Sequence, residues 1–263
     1  MEHKTAESDS PLVSVLMPAY NAEKYIEKAI RSVIAQTVSD WELVIIDDYS
    51  QDRTCQIAEA LAREDARIRL YRNEQNQGAA RTRNRGLDLC RGQYVALLDS
   101  DDVWYPEKLE KQLVLAQTEN ADIVYCAYAI VDENGQRRFH DFIVPEHTDL
   151  EATLVKSVIS CSTALLGRNV TEHYRFPVEY YHEDLAMWVQ LLGDGLKAVG
   201  TSQVLAEYRV RYASKASNKL SVAKWRWQIY RTLMGLSVRK SAVYFVQYAA
   251  AGAVKYRIRR IAG

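Results

Sequence analysis

Tyr94-Val95-Ala96-Leu97-Leu98-Asp99-Ser100-Asp101-Asp102 decides how this chain is read. The first five residues are apolar on both faces, as in a short strand covered by helices on each side, and three carboxylates then leave the sheet within four positions. In an open parallel sheet, ligands bind at the carboxyl ends of the strands. Two carboxylates about 5 Å apart repel by roughly 3 kcal/mol at an effective dielectric near 20, a cost that a divalent cation or a shared proton removes. An all-oxygen set without a His or thiolate partner favours Mg2+ or Mn2+ over Zn2+, and such ions share their shell with substrate phosphates. A lone Asp at a strand end more often caps the next helix, but three acids in four residues favour the metal.

Working outward, the apolar run 12–17 leads into Pro18-Ala19-Tyr20-Asn21, with Asn21 placed as a helix N-cap. Ile26, Ala29, Ile30, Val33 and Ile34 then recur at helical spacing. The run 41–46 ends in Asp47-Asp48, and helices over 54–64 and 79–90 flank a strand over 68–71. This alternation predicts an α/β fold with parallel strands between helices. Downstream, a helix over 107–117 opens at Pro106, and a strand over 122–131 ends at a hairpin signal, Asn134-Gly135. A helix over 184–192 and a strand over 204–210 follow. Between 141 and 182 the apolar pieces near 154–159 and 163–166 carry no clear period.

The 263 residues have room for one large α/β domain and a small appendage. A formal charge of zero, from 34 bases and 34 acids, hides a division: no acid follows Glu207, whereas thirteen Lys and Arg do. These bases interleave with Trp225, Trp227, Tyr230, Tyr244, Phe245, Tyr248 and Tyr256, so 222–260 reads as one or two basic amphipathic helices. Two roles fit equally. The tail can lie on the anionic inner face of a membrane, where each base is worth about 1 kcal/mol at most, or pack on the main domain or a dimer partner. No nucleic-acid reading motif accompanies the charge. Cys55, Cys90, Cys126 and Cys161 have no CxxC or ligand spacing and read as small hydrophobes of a reducing compartment. Residues 1–10 lack the apolar core of a signal peptide, and 242–254 falls short of the roughly 20 apolar residues of a span, so a cytoplasmic location is expected.

In order and spacing, four stretches carry a resemblance. They are Val13-Ser14-Val15-Leu16-Met17-Pro18-Ala19-Tyr20-Asn21, Val44-Ile45-Ile46-Asp47-Asp48-Tyr49-Ser50-Gln51-Asp52, Asn76-Gln77-Gly78 with Arg83-Asn84, and Leu97-Leu98-Asp99-Ser100-Asp101-Asp102-Val103-Trp104. Together they resemble the family 2 glycosyltransferases of the GT-A fold. The resemblance implies a Rossmann-like, mostly parallel sheet flanked by helices, here with a basic C-terminal helical extension. It divides the chain into a flexible N-terminus (1–10), a catalytic domain (11–215, with a nucleotide-binding half 11–104 and an acceptor-binding half 105–215) and the tail (216–263).

By the same resemblance, Pro18, Ala19 and Tyr20 would line a nucleoside pocket, with the Tyr20 ring near the base. Asp48 would accept a hydrogen bond from the uracil imide N–H, which points to a UDP-sugar donor. Asp99, Ser100 and Asp101 would reach the donor, and Asp101 and Asp102 the metal, Mn2+ or Mg2+. Arg83 would lie near the nucleotide, or equally stand exposed on its helix. His182-Glu183-Asp184 before Leu185-Ala186-Met187-Trp188 looks like the family's base motif, with Asp184 as the base and Glu183 on the acceptor side; helix capping is the bland alternative. One displacement assisted by that base would invert the anomeric centre. No Walker loop or dinucleotide fingerprint is present to hold phosphates by backbone amides. Arg209, Arg211 and Lys215 could close over them instead, or be a solvated charge run.

Processive members resemble one another in a Gln-x-x-Arg-Trp motif. Here Arg226-Trp227 lacks that Gln, so one sugar per encounter is expected. Size and tail look like those of enzymes that build bacterial surface polysaccharide, O-antigen or cell-wall glycan on a lipid-linked saccharide. Rival readings are a nucleotidyltransferase, a phosphatase, or a non-catalytic nucleotide-sugar-binding module.

Overall fold

The computed structural model describes residues 10–137, 139–210 and 219–259, the side chains of 219–221 and 252–259 excepted. Its first half is the predicted alternation. Strands β1 (Val13–Ala19), β2 (Trp41–Asp47), β3 (Ile68–Arg72) and β4 (Tyr94–Leu97) lie parallel in the order β3-β2-β1-β4. Helices α1 (Ile26–Ile34), α2 (Thr54–Glu64) and α3 (Ala79–Leu89) connect them. Because strand side chains alternate, β1 feeds two cores. Val13, Val15 and Met17 pack with Ile26, Ala29, Ile30 and Val33 of α1, whereas Leu16 packs with Val44, Ile46 and Leu87 on the opposite face. The α1 residues recur at i, i+3, i+4 and i+7, the stripe that lets one helix cover a sheet. Gly86 brings α3 close to the sheet: a Cβ there would run into Leu16 Cδ1 and lie 3.2 Å from Ile46 Cγ1.

Asn21 does not cap α1. It takes φ 47, a left-handed value Asn tolerates, and its Oδ1 accepts from the Gln51 amide at 2.9 Å. The helix starts five residues later, and its N-cap Tyr25 makes no side-chain cap bond. The loop bond to residue 51 outcompetes local capping.

Beyond β4 the sheet is mixed. The strands are β5 (Val103–Trp104), β6 (Ile123–Val131), β7 (His147–Thr148), β8 (Leu165–Gly167) and β9 (Ala198–Arg209). The order continues β4-β8-β6-β9-β5, with β7 also on β9. β8 runs antiparallel to both β4 and β6, β6 and β9 are parallel, and β5 and β7 run antiparallel to β9. The helices here are α4 (Lys108–Thr118), α5 (Leu150–Val155), α6 (Arg168–His173) and α7 (Glu183–Gly193), with a 3-10 turn at Cys161–Thr163. β9 begins six residues before the predicted strand.

The tail forms α8 (Lys219–Gln228), a π-helical turn (Ile229–Leu233) and α9 (Val238–Arg259). It packs on the main body. Ile229 and Tyr230 share a core with Leu154 of α5 and Leu185, Ala186 and Val189 of α7. Among the described residues, no helix is long and apolar enough to cross a membrane. All four cysteines are free thiols, and Cys90, Cys126 and Cys161 are buried.

Candidate active site

After β3 the chain returns to the other side of β1, so the strand order reverses between β1 and β4, and a crevice opens at their carboxyl ends. One cavity of about 610 Å3 occupies it, lined by Pro18, Ala19 and Tyr20, by Asp48, by the whole segment from Asp99 to Asp102, and by Arg83, Glu183, Asp184 and Arg209. Thus residues spread over almost two hundred positions converge on one space of ligand size. Arg211 and Lys215 lie outside the described residues.

The register aligns the strand ends. Ala19 pairs with Asp47 and Leu16 with Leu97. Of the adjacent acids, Asp47 turns into the protein, where Arg72 Nε reaches its Oδ2 at 3.1 Å, and Asp48 turns to the cavity. Asp48 is 3% exposed. Its Oδ1 accepts from Asn73 Nδ2 (2.6 Å) and the Gln77 amide (2.9 Å), and its Oδ2 from the Gly78 amide (2.8 Å). A carboxylate has about four lone-pair sites, so Oδ2 keeps one for a ligand. Gly78 delivers its amide from φ 82 and ψ 166, a backbone conformation essentially confined to glycine that costs other residues about 1–3 kcal/mol, just before α3.

The segment 99–102 is fixed from behind. Ser162, 1% exposed on the 3-10 turn, accepts from the Asp99 amide at 3.1 Å and donates to Asp102 Oδ2 at 2.5 Å. Asp102 Oδ1 accepts from the Arg209 amide at 2.7 Å. Asp102 is therefore buried with both oxygens engaged inside the protein. Burial, followed by the charges of Asp101 and Asp99, pushes its carboxyl well above the usual range. Arg209, expected over the phosphates, is 7% exposed. Its Nε donates to the Asp101 carbonyl and its Nη1 to those of Asp132 and Glu133, so the guanidinium props the acid segment. Beneath it, Trp104 Nε1 donates to the Ser162 carbonyl at 2.7 Å, and the fully buried Lys108 lies 3.9 Å from the Trp104 ring.

These residues fit a hard divalent ion. Crowded acids with oxygen donors face a cavity, and a cation beside Asp99 and Asp101 would offset the two charges that add to burial in raising Asp102. No three His, Cys, Asp or Glu among the described residues make a self-sufficient metal site; an ion on one or two carboxylates completes its shell with water and ligand phosphates.

Arg83 is not an exposed helix residue. It is 6% exposed, and its guanidinium bridges Asp99 (Nη2 to Oδ1, 2.6 Å) and Glu183 (Nη1 to Oε1, 2.8 Å). The acid segment is thereby tied to the first turn of α7, where Asp184 Oδ1 accepts from the Leu185 amide at 2.7 Å. Asp184 thus uses a helix-terminal N–H and still faces the cavity. Its carboxyl is raised by burial and by Glu183, against the lowering pull of that amide, Arg83 and His182.

Several lining residues had no role in the sequence reading. Asn76, Thr82, Ser160, Cys161, Tyr181, His182 and Tyr208 all border the cavity. Asn76 stands in one of the motifs named above and His182 two residues before Asp184. Ser160 and Cys161 come from the stretch without period, and nothing local marks them.

The comparisons agree with this geometry. The model of glycosyl transferase family 2 matches residues 14–175. The Bacillus subtilis glycosyltransferase TuaG, named for teichuronic acid biosynthesis, is 39% identical over 94% of this chain and 98% of its own. The Escherichia coli enzyme WfgD, named as a UDP-Glc:alpha-D-GlcNAc-diphosphoundecaprenol beta-1,3-glucosyltransferase, is 35% identical over 84% of this chain and 86% of its own. Among solved structures, S. aureus TarS with UDP-GlcNAc superposes with a TM-score of 0.71 at 21% identity, covering 90% of this chain and 71% of that one. The Pyrobaculum calidifontis mannosyltransferase PcManGT with GDP-Man and Mn2+ gives 0.69 at 17% identity, covering 95% and 76%. These neighbours establish the GT-A fold, and with the matched family model and near-full-length relatives, the chain belongs to glycosyl transferase family 2 and is a glycosyltransferase.

Proposed function

We propose that the enzyme moves one sugar from a UDP-sugar to a hydroxyl of a lipid-linked saccharide, with inversion and with Mn2+ or Mg2+ at the diphosphate, in the assembly of a surface polysaccharide. The observation that carries this is the meeting of Asp48, the segment 99–102 and Asp184 around one cavity. Tyr20 and Asp48 receive uridine, the free site on Asp48 Oδ2 accepting the imide N–H. Pro18, Ala19 and Ser100 line the donor path. Asp101, with Asp99 beside it, holds the ion, which when bound neutralises charge gathering on the diphosphate. Asp102 and Arg209 keep that segment in place.

Asp184 takes the proton of the acceptor hydroxyl as its oxygen bonds to the anomeric carbon. The bond from that carbon to the diphosphate oxygen breaks with its electron pair, and UDP leaves from the opposite face. A buried carboxylate with a raised pKa is a stronger base near neutral pH. Donor and acceptor classes draw support from the names of the relatives, which carry UDP-Glc, a diphosphoundecaprenol-linked GlcNAc and teichuronic acid. The tail can pack on the domain and still meet an anionic membrane: α9 buries Ser241 but leaves Val243 and Val246 exposed beside Arg239 and Lys240.

The test is UDP release and product formation from UDP-Glc and UDP-GlcNAc, with Mn2+ and a short-chain lipid diphosphate carrying α-linked GlcNAc. Transfer should stop on chelation and fall sharply in Asp101→Asn. Transfer that ignores chelation, or that prefers a guanosine donor, refutes the reading.

A further inference from the structure

The loop that delivers Asp184 leans on the tail. Tyr181 lines the cavity beside Glu183 and Asp184. Its ring stacks on Trp225 of α8, with centroids 5.5 Å apart and planes within 12°, and meets His182 edge-on at 5.3 Å. Within the described residues, His182 Nε2 is buried with no hydrogen-bond partner, and His182, as N-cap of α7, makes no side-chain cap bond.

α8, by contrast, is firmly seated. Arg226, the neighbour of Trp225, is 7% exposed. Its Nη2 donates to the carbonyls of Thr153 (3.0 Å) and Leu154 (2.9 Å). Its Nε donates to the Tyr230 hydroxyl, which itself donates to the Leu154 carbonyl. Tyr230 and Ile229 then pack on Leu185, Ala186 and Val189, the helix that starts at the base. A buried guanidinium thus fixes the backbone beside Trp225, and Trp225 presents a rigid ring to Tyr181.

We infer that Trp225 is a positioning residue for transfer: through Tyr181 it sets the Asp184 carboxylate against the acceptor hydroxyl, so the basic tail completes the acceptor side of the active site. The inference rests on Asp184 being the base. The donor side is held by other elements, Asp48 by Asn73, Gln77 and Gly78, and Asp99 by Arg83 and Ser162. Loosening Trp225 therefore separates the two substrates. An aromatic pair is worth about 0.5–1.5 kcal/mol beyond its burial, and a misplacement of about 1 Å at a reacting group can cost on the order of 10²-fold in rate.

The experiment uses the full chain with Trp225→Ala, Trp225→Phe, Tyr181→Ala and the double Ala variant. It reads KM for the UDP-sugar, kcat/KM for the lipid diphosphate bearing GlcNAc, and the slow hydrolysis of the UDP-sugar without acceptor. Trp225→Ala should lower acceptor kcat/KM by about 10- to 100-fold and slow hydrolysis, with donor KM nearly unchanged. Trp225→Phe should restore most of the loss, and the double variant should be no worse than the worse single, since one acts through the other. If Trp225→Ala does not melt cooperatively, Trp225→Leu, which fills the site without a flat ring, takes its place against Trp225→Phe. Wild-type turnover and hydrolysis in the variant, a donor KM rising in step, or additive effects overturn the inference. A wild-type enzyme that neither transfers nor hydrolyses any nucleotide sugar overturns the proposed function, and the inference with it.

Discussion

Replacing Arg83 with methionine keeps most of the side-chain volume and removes the cation between Asp99 and Glu183. Breaking a buried pair by deleting one partner costs about 3–5 kcal/mol, because a charge is left buried and unpaired. Glu183, with its side chain 13% exposed, bears that in full, whereas Asp99 at 30% is partly relieved by water, so the lower end of the range applies. An unfolding entropy near 2.1 cal/mol/K per residue gives about 0.55 kcal/mol/K for this length, so ~3 kcal/mol lowers Tm by about 5 °C. The same change reaches Asp184, the proposed base. Arg83 is among the groups that lower the Asp184 carboxyl against burial and Glu183. Without it the pKa rises further, and because the base must be ionised, transfer is lost at a higher pH as the solution is acidified. Thermal melts and a pH profile of kcat/KM check both. Adding Glu183→Gln, which removes one stranded charge, should return part of the Tm loss. A variant that melts within about 1 °C of wild type and keeps its acid limb would show that Arg83 does not hold the two acids as described.

Asp184→Asn should cut transfer by about 10²- to 10⁴-fold, the usual worth of a general base, while UDP with Mn2+ still raises Tm; equal transfer, or loss of the UDP shift, contradicts its role. In the wild type the acid limb of the profile should lie above the ordinary Asp range, since burial and then Glu183 raise this carboxyl; a limb near pH 4 contradicts that. The enzyme should float with anionic but not neutral vesicles, less so as salt rises, and Val243→Glu with Val246→Glu should abolish flotation without touching turnover of a soluble acceptor. Absence of flotation would remove the tail from the membrane, and flotation indifferent to lipid charge would refute its electrostatic attraction to anionic lipid.

The parallel half was readable because its signals are local. Helix 54–64 appears at its predicted bounds, and α1 and β2 within a residue or so, because each carries its own period. The stretch 141–182 was not readable because its pieces are short and set by distant partners. β8 has three residues and takes its place from β4 and β6, and the turn at Cys161–Thr163 matters because Ser162 meets Asp102 sixty positions away. Arg83 was ambiguous for the same reason. α3 reads as a polar helix, and the carboxylate that helps bury Arg83 lies 100 residues on. As metal ligands Asp101 and Asp102 look alike in the sequence, and the arrival of Ser162 and of β9 distinguishes them.

The four residues 99–102 lie between two short paired stretches: β4, hydrogen-bonded to β1 and β8, and β5, which pairs Val103 with Glu207 and Trp104 with Ala206. A hinge has nowhere to sit there. The ordering entropy of this segment is therefore spent when the chain folds and not when the donor arrives. A closing motion elsewhere in the site would meet a segment that is already in place.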